Sequence, residues 1–160
     1  KTALVLLFLL PAMTPTDAPG QTTAGSAPED RPVTATAAGT ADKLQEAIAP
    51  YVAIGRRTYP EARTRFLAGL APGRVFSVTV KLEDGQGRFE MVFLRVLMID
   101  QKHAEVIGTI ANKIECVHGY QFGQVLTLPE SRVLDWTISN PDGTEEGNAV
   151  GKFLDTYRAE

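Results

Sequence analysis

At 160 residues the chain has room for one domain and a tail. Sixteen basic residues against nineteen acidic ones, a net charge of −3, leave no basic stripe of the kind nucleic-acid binding needs. A single cysteine excludes an internal disulfide, so the fold must rest on packing.

The first stretch, "KTALVLLFLLPAM", opens on a lysine, runs apolar from Ala3 to Leu10 and breaks at Pro11. That is the build of a secretory signal peptide lacking its initiator methionine. It falls short of the roughly 20 apolar residues of a transmembrane anchor. Residues 1–18 are read as this signal. The cleavage site is left unassigned, because Pro19 is a poor residue to follow a cut after Ala18. No cysteine lies near the apolar run to carry a lipid, so the expected location is periplasmic or secreted. Residues 19–40, rich in Pro, Thr, Ala and Gly, cannot bury enough surface to offset the entropy of ordering them and read as a disordered tether.

Residues 41–160 are expected to form a single α+β domain. "ADKLQEAIAPYVAIG" puts Leu44, Ala47, Ile48, Tyr51 and Val52 on one helical face, with Pro50 kinking or ending the helix. A second helix is expected in "TYPEARTRFLAGLAPG". Pro60 and Glu61 suit its first turn, Ala62, Phe66, Leu67 and Leu70 share a face, and Gly69, Pro72 and Gly73 stop it.

From Arg74 the period changes to two. In "RVFSVTVKL" Phe76, Val78, Val80 and Leu82 alternate with Ser77, Thr79 and Lys81, the pattern of a half-buried strand. After the turn "EDGQG", "RFEMVFLRVLMID" is apolar at nearly every position, as a central strand is. "AEVIGTIAN", "QVLTL" and "RVLDWTIS" read as three more strands, and "NPDG" as a turn. Asn148 is a candidate N-cap for a closing helix in which Val150, Phe153, Leu154 and Tyr157 share a face. The expected architecture is a mainly antiparallel sheet of about five strands, with N-terminal helices and a short C-terminal helix packed on it.

Chemistry-bearing constellations are few. Cys116 and His118 point the same way on an extended segment, but a metal site needs three or four ligands, and the other histidine, His103, sits at an expected turn. No metal and no cofactor are therefore expected. As a nucleophile Cys116 would need His118 to bend toward it as a base. Glu90, Glu105 and Asp135 are the candidate carboxylates for a hydrolytic pair. Strand alternation separates Asp135 from its neighbour Trp136. Leu134, Trp136 and Ile138 form an apolar face with the tryptophan in the core, while Val133, Asp135, Thr137 and Ser139 form the other face.

An ordered series of motifs resembles the YegJ-like bacterial domain family, numbered 2314 among the domains of unknown function. It runs over about two thirds of the chain: "RRTYPEARTRFLAGL", "FSVTVKLEDG", "EMVFL", "VIGTIAN", Gly123, "VLDWTI" and "DGTEEGNAVGKFL". Where the family shows a histidine and a tryptophan, Met91 and Phe93 stand here. Lys113 and Ile114 replace the acidic residue and proline after Asn112, and Ala149 and Val150 replace a Tyr-Thr pair beyond Gly147. These departures remove polar groups from a possible site. The resemblance implies a small domain without an established activity, and similar small domains are grouped, by analogy of fold and size, with immunity proteins of toxin systems.

The expectation from sequence is thus an exported, monomeric, non-catalytic module that binds a protein partner in the cell envelope, with toxin immunity as one concrete form. Asp135, Asn112 and Glu90 are its candidate binding residues, and no catalytic residue is assigned. The competing expectation is a periplasmic hydrolase using Cys116 or a carboxylate pair.

Overall fold

The computed structural model describes residues 38–157. The expected signal peptide and residues 19–37 of the expected tether lie outside the described residues. The fold is α+β: a long helix α1 (Ala38–Ala68), a six-stranded antiparallel sheet, and a short helix α2 (Ala149–Thr156). In chain order the strands are β1 (Val75–Glu83), β2 (Phe89–Asp100), β3 (Glu105–Ile110), β4 (Val125–Pro129), β5 (Val133–Ser139) and β6 (Glu145–Gly147). Their spatial order is β4-β3-β2-β1-β5-β6. No described helix is long and apolar enough to cross a membrane.

The two expected N-terminal helices are one. Pro50 and Pro60 both lie inside α1. Each removes one donor from the helical ladder, a cost of about 3 kcal/mol or more in an interior position. Tertiary packing overrides the local signal, because the helix buries residues on both sides of each proline. Leu44 and Ile48 pack with Val150 of α2 in a small cluster, while Tyr59 and Ala62 belong to the main core.

The halfway point of this helix is where it meets the sheet. β6 pairs only with Thr137–Ser139, so the outer edge of β5 from Val133 to Trp136 has no strand beside it. α1 covers that edge, which protects it from pairing with another chain. The Arg56 Nε–H donates to the Val133 carbonyl at 3.2 Å. Gly55 lies so close that a Cβ there would stand 2.7 Å from the Leu134 carbonyl oxygen and 2.8 Å from Asp135 Cα. Only glycine lets the two backbones approach to this distance.

Register assigns the faces. Val78 pairs with Leu94 and Trp136, Val80 with Val92, and Leu82 with Glu90, and this face holds the main core. Ser77, Thr79, Lys81, Met91, Asp135 and Thr137 share the opposite face. That second face was expected to be open along β1. Instead Ser77 and Thr79 are buried, because α2 and the N-terminal half of α1 cover it.

One feature of β5 departs from simple alternation. Thr79 pairs with Asp135 but Val80 with Val133, so Leu134 is the extra residue of a β-bulge. A one-residue slip exchanges faces. Val133, expected beside Asp135, is therefore in the main core with Trp136 and Ile138. Leu134, expected with them, is only half-buried and stands outside that core. The remaining expected strands lie where the pattern placed them. β6 was not foreseen: it is three residues long and polar, and is defined by its pairing alone.

Candidate functional site

The Asp135 carboxylate is fully buried. Its Oδ2 accepts the Val150 N–H at 2.7 Å and its Oδ1 accepts the N–H of Trp136 at 2.8 Å. Burial pushes its pKa above the usual carboxylate range, and the N–H groups of Val150, Trp136 and Ala149 restrain that rise. Val150 is the second residue of α2, so Asp135 supplies an acceptor to the helix's unsatisfied N-terminal donors. Asn148, the expected N-cap, does not cap with its side chain. Its backbone is left-handed (φ 56°), and its Nδ2–H donates to Glu145 Oε1 at 3.0 Å. Trp136 is buried as expected, and its indole Nε1–H donates to the Thr58 hydroxyl at 2.8 Å. Asp135 and Trp136 together therefore fasten both helices to β5.

Glu90 points the other way, into the main core, and is also fully buried. Three successive backbone donors converge on it: the N–H groups of Glu115 at 3.1 Å, Cys116 at 2.9 Å and Val117 at 3.4 Å. Asn112 Oδ1 accepts the Phe93 N–H at 2.8 Å, and its Nδ2–H donates to the Lys113 carbonyl at 3.1 Å. Both residues pin the long connection between β3 and β4 onto β2. Ile114, Cys116, Val117 and Tyr120 of that connection pack on the main core. The three residues expected to bind a ligand thus satisfy backbone groups, and Glu90 and Asp135 lie on opposite faces of the sheet.

Cys116 is equally occupied. Its thiol donates to the Phe89 carbonyl at 3.2 Å, and burial, reinforced by Glu90, pushes its pKa up to about 11. A thiol held protonated in this way is a poor nucleophile at neutral pH. The His118 side chain is exposed, and its backbone N–H donates to Asp84 Oδ2 at 3.2 Å. Burial pushes Asp84 up, but the Arg88 guanidinium and the N–H groups of Gln86, His118 and Arg88 outweigh it and hold the carboxyl well below its usual range.

Glu105 sits at the β2–β3 turn with Asp100 and His103, the one set of three potential metal ligands among the described residues. Asp100 there accepts the backbone N–H of Lys102 at 2.9 Å and pairs with His103 Nδ1 at 2.7 Å. The set reads as an exposed turn closed by an ion pair.

A concave surface lies elsewhere. Between the N-terminal half of α1 and the ends of β1, β2 and β5 runs a cleft of about 560 Å³, open to solvent along one side. Ile48, Val52, Phe89, Met91 and Leu134 make its lining largely apolar, and Ala49 and Ala53 leave room on the helix wall. The bulge that displaces Leu134 from the core is what brings this side chain to the cleft.

The cleft's rim carries three cations: Arg56 and Arg132 at one end, and Lys81, whose Nζ–H donates to Gln45 Oε1 at 3.1 Å. Two of the three are tied down by backbone carbonyls. Arg56 donates through Nε to Val133, and Arg132 through Nη2 to the Lys81 carbonyl at 2.7 Å. A carbonyl fixes a guanidinium without neutralising it. Lys81 is paired with Glu83, whose carboxyl this ion pair holds below the usual range, and its ammonium lies 4.9 Å from the Phe89 ring centroid.

Sequence reasoning missed this cleft. Gln45, Ile48, Ala49, Val52, Ala53 and Arg56 do recur at helical spacing, but that period marks a face without saying whether the sheet covers all of it. No family model matches the chain, and no match was found among curated proteins or solved structures.

Proposed function

We propose that this chain is a non-catalytic α+β module that works outside the cytoplasm and docks a partner protein through the cleft between α1 and the strand ends. One observation carries the reading. The carboxylates at Glu90 and Asp135 and the Cys116 thiol are engaged by backbone groups of the fold, whereas the apolar cleft stands open beside two guanidiniums that backbone carbonyls hold in place, with Glu83, itself paired to Lys81, the carboxylate beside them. The apolar run at the N-terminus supports export, and the motif series from "RRTYPEARTRFLAGL" to "DGTEEGNAVGKFL" supports kinship with the YegJ-like family. Toxin immunity is one form that such docking takes.

The test is site-specific photocrosslinking in the organism's own envelope, with p-benzoylphenylalanine in place of the exposed Gln45 at the mouth of the cleft, where a long side chain already stands. The expected result is one recurrent protein adduct, lost when Arg56 and Arg132 are both changed to glutamine. Adducts that ignore those changes would overturn the reading. So would hydrolysis of ester, peptide or glycan substrates that disappears in Cys116→Ser.

A further inference from the structure

We infer that the occupant of the cleft is an extended segment of the partner about five residues long, apolar toward the floor and acidic at the end that meets Arg56 and Arg132. This rests on the docking proposal above and specifies its chemistry. The length comes from α1: Gln45 to Arg56 spans about 16 Å at the helical rise, which an extended chain covers in about five residues. The apolar part follows from Ile48, Val52, Met91 and Leu134.

The acidic end follows from charge. At this end stand two guanidiniums, Arg56 and Arg132, beside Glu83, which is already paired to Lys81, within a chain whose net charge is −3. Arg56 and Arg132 each spend one nitrogen on a backbone carbonyl, so both forks are held in place and a carboxylate gains charge-assisted bonds with little ordering cost. The open side argues for a protein segment over a free acyl chain. An acyl chain would leave its outer flank in water, whereas a segment of a folded partner has that partner to cover it.

Two soluble probe peptides test this on the full chain: leucines alternating with serines, ending in two glutamates or in two lysines. Binding is followed by methyl chemical shifts of Ile48, Val52 and Leu134 up to millimolar peptide. The glutamate probe should shift these methyls and bind about tenfold or more tighter than the lysine probe. That preference should vanish in the Arg56→Gln, Arg132→Gln double variant, and all binding should vanish in Ala53→Trp, which fills the cleft without touching the rim. Unfolding curves check that each variant is folded.

Equal binding of the two peptides would overturn the inference. So would no shift at millimolar concentration, or shifts produced by dodecanoate and by neither peptide. If photocrosslinking at position 45 still captures a partner in a rim-dependent way, the docking reading stands and only its stated chemistry falls.

Discussion

Replacing Gly55 by alanine places a methyl group between two backbones that touch. The new Cβ would stand 2.5 Å from Asp135 Oδ1, 2.7 Å from the Leu134 carbonyl oxygen and 2.8 Å from Asp135 Cα, where ordinary contact begins at 3.4 Å. Two of these atoms are backbone, so no rotamer change relieves the clash and α1 must lift off β5 by most of an ångström. That movement lengthens the Arg56–Val133 bond, already 3.2 Å, and the Trp136–Thr58 bond of 2.8 Å.

Two hydrogen bonds at about 1 kcal/mol each and overpacking of about 1–3 kcal/mol oppose the gain of about 1 kcal/mol that alanine brings to a helix interior. The net expectation is a loss of about 2–4 kcal/mol, or roughly 10 °C in Tm for a domain of this size. Urea unfolding followed by the fluorescence of Trp136, the only tryptophan, measures it directly. The sign decides. If Gly55→Ala is as stable as the parent or more so, propensity rules at this position and the close crossing of α1 over β5 is wrong.

Glu90→Gln keeps the shape but replaces one acceptor oxygen with a donor facing the N–H groups of Glu115, Cys116 and Val117. A loss of about 2–3 kcal/mol is expected, with hydrogen-exchange protection of the Glu115 and Cys116 amides falling first; unchanged protection refutes the anchoring role. Cys116, with its thiol raised from 9.0 to about 11, should react with iodoacetamide at pH 7.5 about a hundredfold more slowly in the native than in the urea-unfolded chain. Equal rates would restore it as a nucleophile.

His103 takes its raised pKa first from the hydrogen bond to Asp100, whose own pKa is lowered. A His raised on folding contributes stability that is full below its unfolded value of 6.5 and is lost as pH climbs through the higher folded value. An NMR titration should place His103 above 6.5, and Asp100→Asn should lower it; an unmoved titration refutes the pair. Thr137 is buried, and its hydroxyl has no hydrogen-bond partner. Thr137→Val should therefore leave the unfolding free energy in urea unchanged or raise it by up to about 1 kcal/mol, and a clear drop would show that the hydroxyl is bonded.

Element type was legible wherever the hydrophobic period was long. β1 announces itself by alternation, β2 by an apolar run, and α2 by Val150, Phe153 and Leu154. What stayed hidden depends on contacts between distant segments. Pro50 and Pro60 look like helix boundaries until packing on two clusters outweighs them, and β6 exists only because Ser139 finds Glu145. Leu134 and Val133 exchange faces through a bulge that no residue pattern marks, and strict alternation assigned both to the wrong side.

The cleft stayed hidden in sequence for a related reason. Glu90, Asn112 and Asp135 stood out as polar residues among apolar ones, a mark shared by catalytic groups and by groups that terminate secondary structure. What separates the two uses is the number of backbone donors around the side chain, which depends on the fold. Asp135 meets the first turn of α2, Glu90 three consecutive amides, and Asn112 the N–H of Phe93. A buried carboxylate met by backbone N–H groups is stabilised where it stands and has little capacity left for a substrate. Arg56 and Arg132 attract no notice in the sequence, since arginines on an exposed helix or turn are ordinary. They gain meaning only once Val133 and the Lys81 carbonyl are seen to hold them at the end of an apolar cleft. In this fold the conspicuous polar residues maintain the structure, and on the docking reading proposed above the inconspicuous ones at the Leu134 bulge are what a partner would hold.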